Sequence, residues 1–227
     1  MTSPLVVKCT HNGKYNVFTI ADDEYIGPAI HRGFEWDGWM RRDVEKHYKE
    51  GTDILDIGAN IGYNALMFSD YGPVYAYEPL FHKIVKLNVE NNSLRNVIDV
   101  KPYALSDKPQ TVPMYYPNSV KTTGLRNYGG SSMYKKEWSD ESSKTDVECH
   151  KLDDVYTGIP SVIKIDVEGH ELEVLKGAEQ TIRKYKPMIL IEIFGFDKSE
   201  VPKFIESLGY GKPEERPEHV YLYSFNQ

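Results

Sequence analysis

The stretch Asp53-Ile54-Leu55-Asp56-Ile57-Gly58-Ala59-Asn60-Ile61-Gly62-Tyr63, followed by Tyr77-Glu78-Pro79, constrains this chain more than any other part of it. It reads as a strand, a glycine turn, a helix, a second strand and a terminal acid. Ile54, Leu55 and Ile57 form the apolar run of a parallel strand covered on both faces. Gly58 permits a tight turn, and Gly62 permits close approach of the backbone to another group. In open α/β sheets this order of elements puts a ligand at the carboxyl ends of the strands.

The acids say which ligand. A dinucleotide fingerprint would run G-x-G-x-x-G. Here the run is D-x-G-x-N-x-G, with Asn60 at the middle glycine and Tyr63 near the last. Asp56 would repel a pyrophosphate and welcome a cationic amino-acid tail, so the residues point to S-adenosylmethionine (SAM). In this reading Gly58, Ala59, Asn60, Gly62 and Tyr63 form the cofactor turn, and Asn60 caps the next helix. Asp56 accepts from the methionine ammonium through water or backbone neighbours, Glu78 meets the ribose hydroxyls, and Pro79 ends the strand. Adenine is expected beyond a third strand near Ala104, with Ser106 or Asp107 at its exocyclic amine. The competing reading makes Asp56 and Glu78 caps or ion-pair partners.

Around this core the pattern predicts a hairpin over residues 5–20 turning at Asn12-Gly13. A helix follows over Trp36–Tyr48, stopped by Gly51. Further strands are expected at 97–103, 162–167, 188–193 and 220–225, with helices at 63–69, 81–91, 171–185 and 198–208. Strands alternating with helices give a doubly wound α/β sheet. Residues 107–150 break the rhythm with prolines, glycines and serines and read as an inserted hairpin and loop. The whole chain, 1–227, is expected to form one domain, with 1–50 as an extension and 51–227 as the core.

A second motif, Lys164-Ile165-Asp166-Val167-Glu168-Gly169-His170-Glu171, lies at the end of the fourth core strand. So many titratable groups in one strand-to-helix turn point to use. Glu192, inside Ile191-Glu192-Ile193, ends the adjacent strand, where an acid is expected to be paired or functional. With Asp56–Gly62, Tyr77–Pro79, Ala104–Asp107, Asn127–Ser132, Ile163–Ala178 and Lys186–Ile193, the sequence resembles the FkbM family of SAM-dependent O-methyltransferases over roughly residues 50–195. The resemblance implies a Rossmann-like class I methyltransferase fold. Its central sheet would have seven mostly parallel strands and an antiparallel C-terminal strand, with helices on both faces. It also implies methyl transfer to a hydroxyl, on a sugar, a glycan or a glycosylated natural product, with glycosyltransferases as partner enzymes that supply the acceptor.

For that chemistry His170 is the leading base, oriented by neighbouring carboxylates, against a reading in which it caps or packs the helix start. Asp166 is the alternative base or the group that orients His170. Asp166 also counts among the cofactor contacts, and Lys164 and Glu168 complete the catalytic set. Metal dependence stays open: Asp166 and Glu192 offer the hard oxygen ligands that Mg²⁺ or Mn²⁺ chooses, or Glu192 pairs with Lys164. The acceptor is expected to meet Trp36, Trp39, Tyr128 and Glu192, with Tyr134 and Trp138 nearby, or else the tryptophans pack the leading helix. The loop Asn127–Ser132 is expected to close over the substrate.

The net charge of −7 and the absence of a Lys/Arg block argue against nucleic acid as substrate. An RNA ribose acceptor, for which Lys164, Asp166 and Glu192 resemble a Lys-Asp-Glu set, and an NAD(P)-linked oxidoreductase stand as alternatives. So does a non-catalytic module. Cys9 and Cys149 match no metal spacing and read as free thiols. No stretch has the roughly 18 apolar residues a membrane span needs, and Met1-Thr2-Ser3-Pro4 does not read as a signal peptide. A cytoplasmic location is the expectation.

Overall fold

The computed structural model describes residues 6–11, 13–117, 123–137, 139 and 143–225. The chain opens with a hairpin of β1 (Val6–His11) and β2 (Asn16–Ile20), paired antiparallel. Asn12 of the expected turn lies outside the described residues. Two helices follow, α1 (Ile26–His31) and α2 (Met40–His47). The core then runs β3 (Asp53–Ile57), α3 (Tyr63–Phe68), β4 (Val74–Tyr77), α4 (His82–Glu90) and β5 (Ile98–Lys101). The insert is built from β6 (Ala104–Leu105), β7 (Gln110–Tyr115) and β8 (Lys144–His150). Finally come α5 (Leu152–Val155), β9 (Pro160–Ile165), α6 (Glu171–Gly177), α7 (Glu179–Tyr185), β10 (Met188–Glu192), α8 (Val201–Ser207), β11 (Glu214–Glu215) and β12 (Val220–Tyr223).

The seven-stranded sheet has the order β11-β12-β10-β9-β3-β4-β5. From β10 to β5 all pairs are parallel, whereas β12 is antiparallel to both its neighbours. The chain leaves β3 toward β4 on one side and returns as β9 on the other, so the switch point lies between β3 and β9. Alternation along the strands divides the core. Ile54, Val162 and Leu190 face one layer with α2, α3 and α4. Leu55, Ile57, Ile163, Ile165, Ile189 and Ile191 face the other with α5 to α8. The extension is integral to the first layer, since Tyr15, Val17, Ile20, Ile26 and Ile30 pack into it.

Several boundaries differ from the sequence expectation. Helix α1 was hidden by Gly27-Pro28, yet the Asp23 carboxylate accepts from Gly27 N at 2.6 Å and starts the turn. The helix expected from Trp36 begins only at Met40, and it ends at Tyr48, before Gly51. The seventh strand is the two-residue β11, within what reads as a Pro/Glu-rich turn. The expected helix 171–185 breaks at Ala178. Beside the break, a Cβ on Gly177 would stand 2.0 Å from the Ser106 carbonyl oxygen, so only glycine lets β6 and α6 approach this closely.

The free edge of β2 meets α4 through asparagines. Asn88 accepts from Phe18 N (2.6 Å) and donates to Phe18 O (3.1 Å). Asn92 accepts from Asn16 N (2.9 Å) and donates to Asn16 O (2.8 Å). Asn88 also donates to Ile61 O in the glycine turn at 2.7 Å. Among the described residues no helix is long and apolar enough to cross a membrane.

Candidate active site

A cavity of about 340 Å³ opens at the carboxyl ends of β3, β4, β9 and β10. The glycine turn forms its floor. Gly58 and Ala59 both donate to Tyr77 O (3.0 and 3.2 Å), which ties the turn to the end of β4. Gly58 has φ +80, and a Cβ there would lie 1.8 Å from Asp166 O, so the two motifs touch backbone to backbone. Asn60 has φ +51 and does not cap α3; its N–H donates to Glu78 Oε2 at 2.8 Å. Glu78 Oε1 accepts from Leu80 N (2.8 Å) and Phe81 N (3.0 Å). Burial nevertheless pushes the Glu78 carboxyl up to about 7. A carboxylate has about four acceptor positions, so one position on Oε2 remains beside the cavity.

Ala59, Asn60, Tyr63, Pro79 and Ala104 line this end, with Leu80, Leu105, Met114 and Met133 as apolar wall. Gly62 packs on Val85 instead. Asp56 has no exposed surface and is absent from the cavity wall. It lies opposite Lys164 in the β3–β9 register, and Lys164 Nζ stands 3.4 Å from its Oδ1. The expected contact of Asp56 with a cofactor ammonium is therefore not in reach; its partner is Lys164. Ser106 is also fully buried and turns to His170.

Lys164 donates to Gly58 O at 2.9 Å and pairs with Asp166 Oδ2 at 3.3 Å as well as with Asp56. Burial opposes its charge, but Asp166, Asp56 and Asp37 more than offset this and hold it protonated. The expected Lys164–Glu192 pair is not among these contacts, and Glu192 Oε2 is buried without a hydrogen-bond partner. Oxygens of Asp166, Glu168 and Glu192 lie within 4.8 Å of one another. Burial, Asp166 and Glu168 push the Glu192 carboxyl up to about 9. Burial and Asp166 push that of Glu168 to about 7. Glu168 also has a strained φ of +54, as functional turns often do.

His170 lines the same cavity, but both ring nitrogens are engaged. Nε2 is 2.9 Å from Ser106 Oγ, and Nδ1 is 3.1 Å from Tyr134 OH and 3.8 Å from Glu173. Burial lowers its pKa. The ring thus ties the start of α6 to the insert, at Ser106 and at Tyr134, with Ser132 Oγ donating to Glu168 O at 2.7 Å as a further tie. The loop over Asn127–Ser132 lies across the cavity mouth. Tyr128 OH donates to Asp22 (3.0 Å), its ring meets Phe81 edge-on, and the Arg126 backbone donates to Asp22 O (2.8 Å) and accepts from Glu24 N (2.8 Å) of the extension.

Of the expected acceptor residues, Trp36, Tyr128 and Glu192 line the cavity, whereas Trp39 packs against the core. Trp138 lies outside the described residues. Among the lining residues that escaped the sequence reading are Asp37, Asn64, Phe194 and Glu218. Asp37 falls inside the helix expected over Trp36–Tyr48, and Phe194 just past the strand expected at 188–193. Asn64, Phe194 and Glu218 carried one signal, their place next to the expected glycine turn and strand ends; Asp37 carried none.

The model of the methyltransferase FkbM domain matches residues 56–211. The chain is 30% identical to the hexuronic acid methyltransferase AglP of Haloferax volcanii, over 69% of this chain and 62% of that protein. It is 27% identical to the methyltransferase sdnD of Sordaria araneosa, over 73% and 76% of the two chains. Among solved structures, the methyltransferase FkbM of Methylobacillus flagellatus superposes with a TM-score of 0.52 at 18% identity, covering 78% of this chain and 44% of that one. The chain thus spans under two thirds of both AglP and that solved protein.

Proposed function

Because this chain belongs to the FkbM family of methyltransferases, we propose that it moves the methyl group of SAM to a hydroxyl of a sugar or glycan. The observation that carries the reading is one cavity that joins an apolar wall and the Glu78 carboxylate to the cluster Asp166, Glu168 and Glu192. The residues fit an adenosine cofactor: Glu78 Oε2 keeps an acceptor position for a ribose hydroxyl, and Ala104, Leu105 and Met114 offer an apolar bed for a base. When bound, SAM supplies a methyl group on a positively charged sulfur. The protein's task is to align the acceptor oxygen and to take its proton. Alignment can contribute up to about 7–11 kcal/mol, and a base about 10²–10⁴-fold.

The carboxylate cluster is the base in this proposal, rather than His170, whose nitrogens are both engaged. Glu168, held near neutrality, matches the requirement that a base titrate near working pH. Lys164 fixes Asp166, and His170 positions the insert. Phe194 is 58% exposed at the mouth, beside Glu192 and Glu218. An exposed ring next to carboxylates suits a pyranose, which has an apolar face and hydroxyl edges. Trp36 and Tyr128 complete the acceptor side. The name of the relative AglP supports the sugar class, and the acidic lining weighs against an RNA ribose. Glycosyltransferases would supply the acceptor.

A second reading of the same cluster is a Mg²⁺ or Mn²⁺ site, favoured by the convergence of three carboxylates within 4.8 Å. The deciding experiment is calorimetric titration with SAM, with and without Mg²⁺, in wild type and Glu78→Ala, followed by turnover on sugar acceptors with EDTA. Binding lost in Glu78→Ala supports the proposal, and no binding in wild type refutes it. A rate untouched by EDTA removes the metal reading alone.

A further inference from the structure

Asp37 and Asn64 form a second polar feature of the cavity that the mechanism above does not use. Asp37 belongs to the turn before α2, outside the family-matching residues. Asn64 sits in the first turn of α3, directly after the glycine turn, and is 7% exposed. Asn64 Nδ2 donates to Asp37 Oδ2 at 2.9 Å. That bond fixes the amide, and it leaves Asn64 Oδ1 buried with no partner. A buried acceptor without a donor is costly. Here that carbonyl has no surface open to the cavity, so the acceptor the wall presents is the Asp37 carboxylate, held through one oxygen by the Asn64 amide. A half-buried carboxylate clamped in this way calls for a ligand group with N–H donors and a positive charge.

Asp56, the acid expected to meet such a group, has no exposed surface and is neutralised by Lys164. Lys164 acts on Asp37 as well, whereas Glu218 and Asp166 oppose its charge. Burial leaves the Asp37 carboxyl at about 6, so a cationic neighbour is what would hold it ionised.

We infer that Asp37, held in place by Asn64, receives the ammonium of the cofactor's amino-acid tail, an anchor supplied by the N-terminal extension rather than by Asp56. The inference rests on the SAM reading given above. Asn64 acts as the positioning residue, through its bond to Asp37 Oδ2.

The test compares S-adenosylhomocysteine with 5′-methylthioadenosine, which has the nucleoside and sulfur but no amino-acid tail. Calorimetry is run on wild type, Asp37→Asn and Asn64→Ala. Asn tolerates the positive φ of +51 at position 37, and thermal melts check that both variants fold. Each variant is expected to weaken S-adenosylhomocysteine about ten- to hundredfold, while 5′-methylthioadenosine changes by less than about twofold. Unchanged S-adenosylhomocysteine affinity in Asp37→Asn, or equal weakening of both nucleosides, overturns the inference. If wild type binds neither nucleoside, the SAM reading itself falls, and this inference with it.

Discussion

Gly58→Ala tests whether the two motifs depend on backbone contact. At φ +80 an alanine is left-handed, which costs about 1–2 kcal/mol. The added Cβ would meet Asp166 O at 1.8 Å and Asp166 C at 2.9 Å. Ordinary contact needs well over an ångström more, and the obstacle is backbone, held by Asp166 N donating to Ile57 O at 3.1 Å. Forcing such a contact typically costs about 1–3 kcal/mol. The sum, about 2–5 kcal/mol, corresponds to a Tm drop of about 4–20 °C for a domain of this size. Gly51→Ala is the control, since Gly51 has φ +79 but nothing within 4 Å. It should lose only the conformational part, about 2–8 °C. Thermal melts and SAM titration read both variants. Gly58→Ala is expected to be the less stable and to bind SAM more weakly, because Asp166 and Lys164 must move. Equal melting of the two variants, with full affinity in Gly58→Ala, would refute the close-approach argument.

Lys164→Met leaves Asp56 buried and unpaired, so urea unfolding should show a loss of about 3–5 kcal/mol, largely regained in the Asp56→Asn/Lys164→Met double variant. Glu192 has a folded pKa of about 9 against about 4.3 unfolded. Between those values the native state keeps a proton that the unfolded chain releases, so this group's contribution to stability falls as pH rises through that window. Without divalent cations, Glu192→Gln should therefore melt above wild type at about pH 8, with the gap closing toward about pH 4. His170→Ala should lower turnover by loosening the insert yet keep the pH dependence of the rate. Loss of a titrating limb would make His170 the base after all.

Strands β3 and β4 were legible to the residue because buried parallel strands are continuous apolar runs with sharp glycine and proline ends. The helix over 171–185 was legible as helix but not as two. Its break comes from Gly177 meeting the Ser106 carbonyl, a contact between segments about seventy residues apart. At the site, the sequence showed that Asp56, Lys164, Asp166 and Glu192 gather at strand ends. It did not show the pairing, which follows from β3–β9 register: Lys164 sits opposite Asp56 and pairs with it and with Asp166. His170 illustrates the same limit. Its partners Ser106 and Tyr134, neither its neighbour in sequence, come to the ring only in the fold. Asp37 was invisible because nothing in the sequence tells which turn the extension lays over the glycine loop.

The asparagines beside β2 have a consequence for how the protein behaves in crowded solution. Asn88 in α4 and Asn92, two residues past its end, stand opposite Phe18 and Asn16, and their amides act as a false neighbouring strand. A bare strand edge is a template on which other chains can add and aggregate. Along β2 the template is already occupied by side chains that cannot propagate it, so this edge is kept from seeding association between molecules.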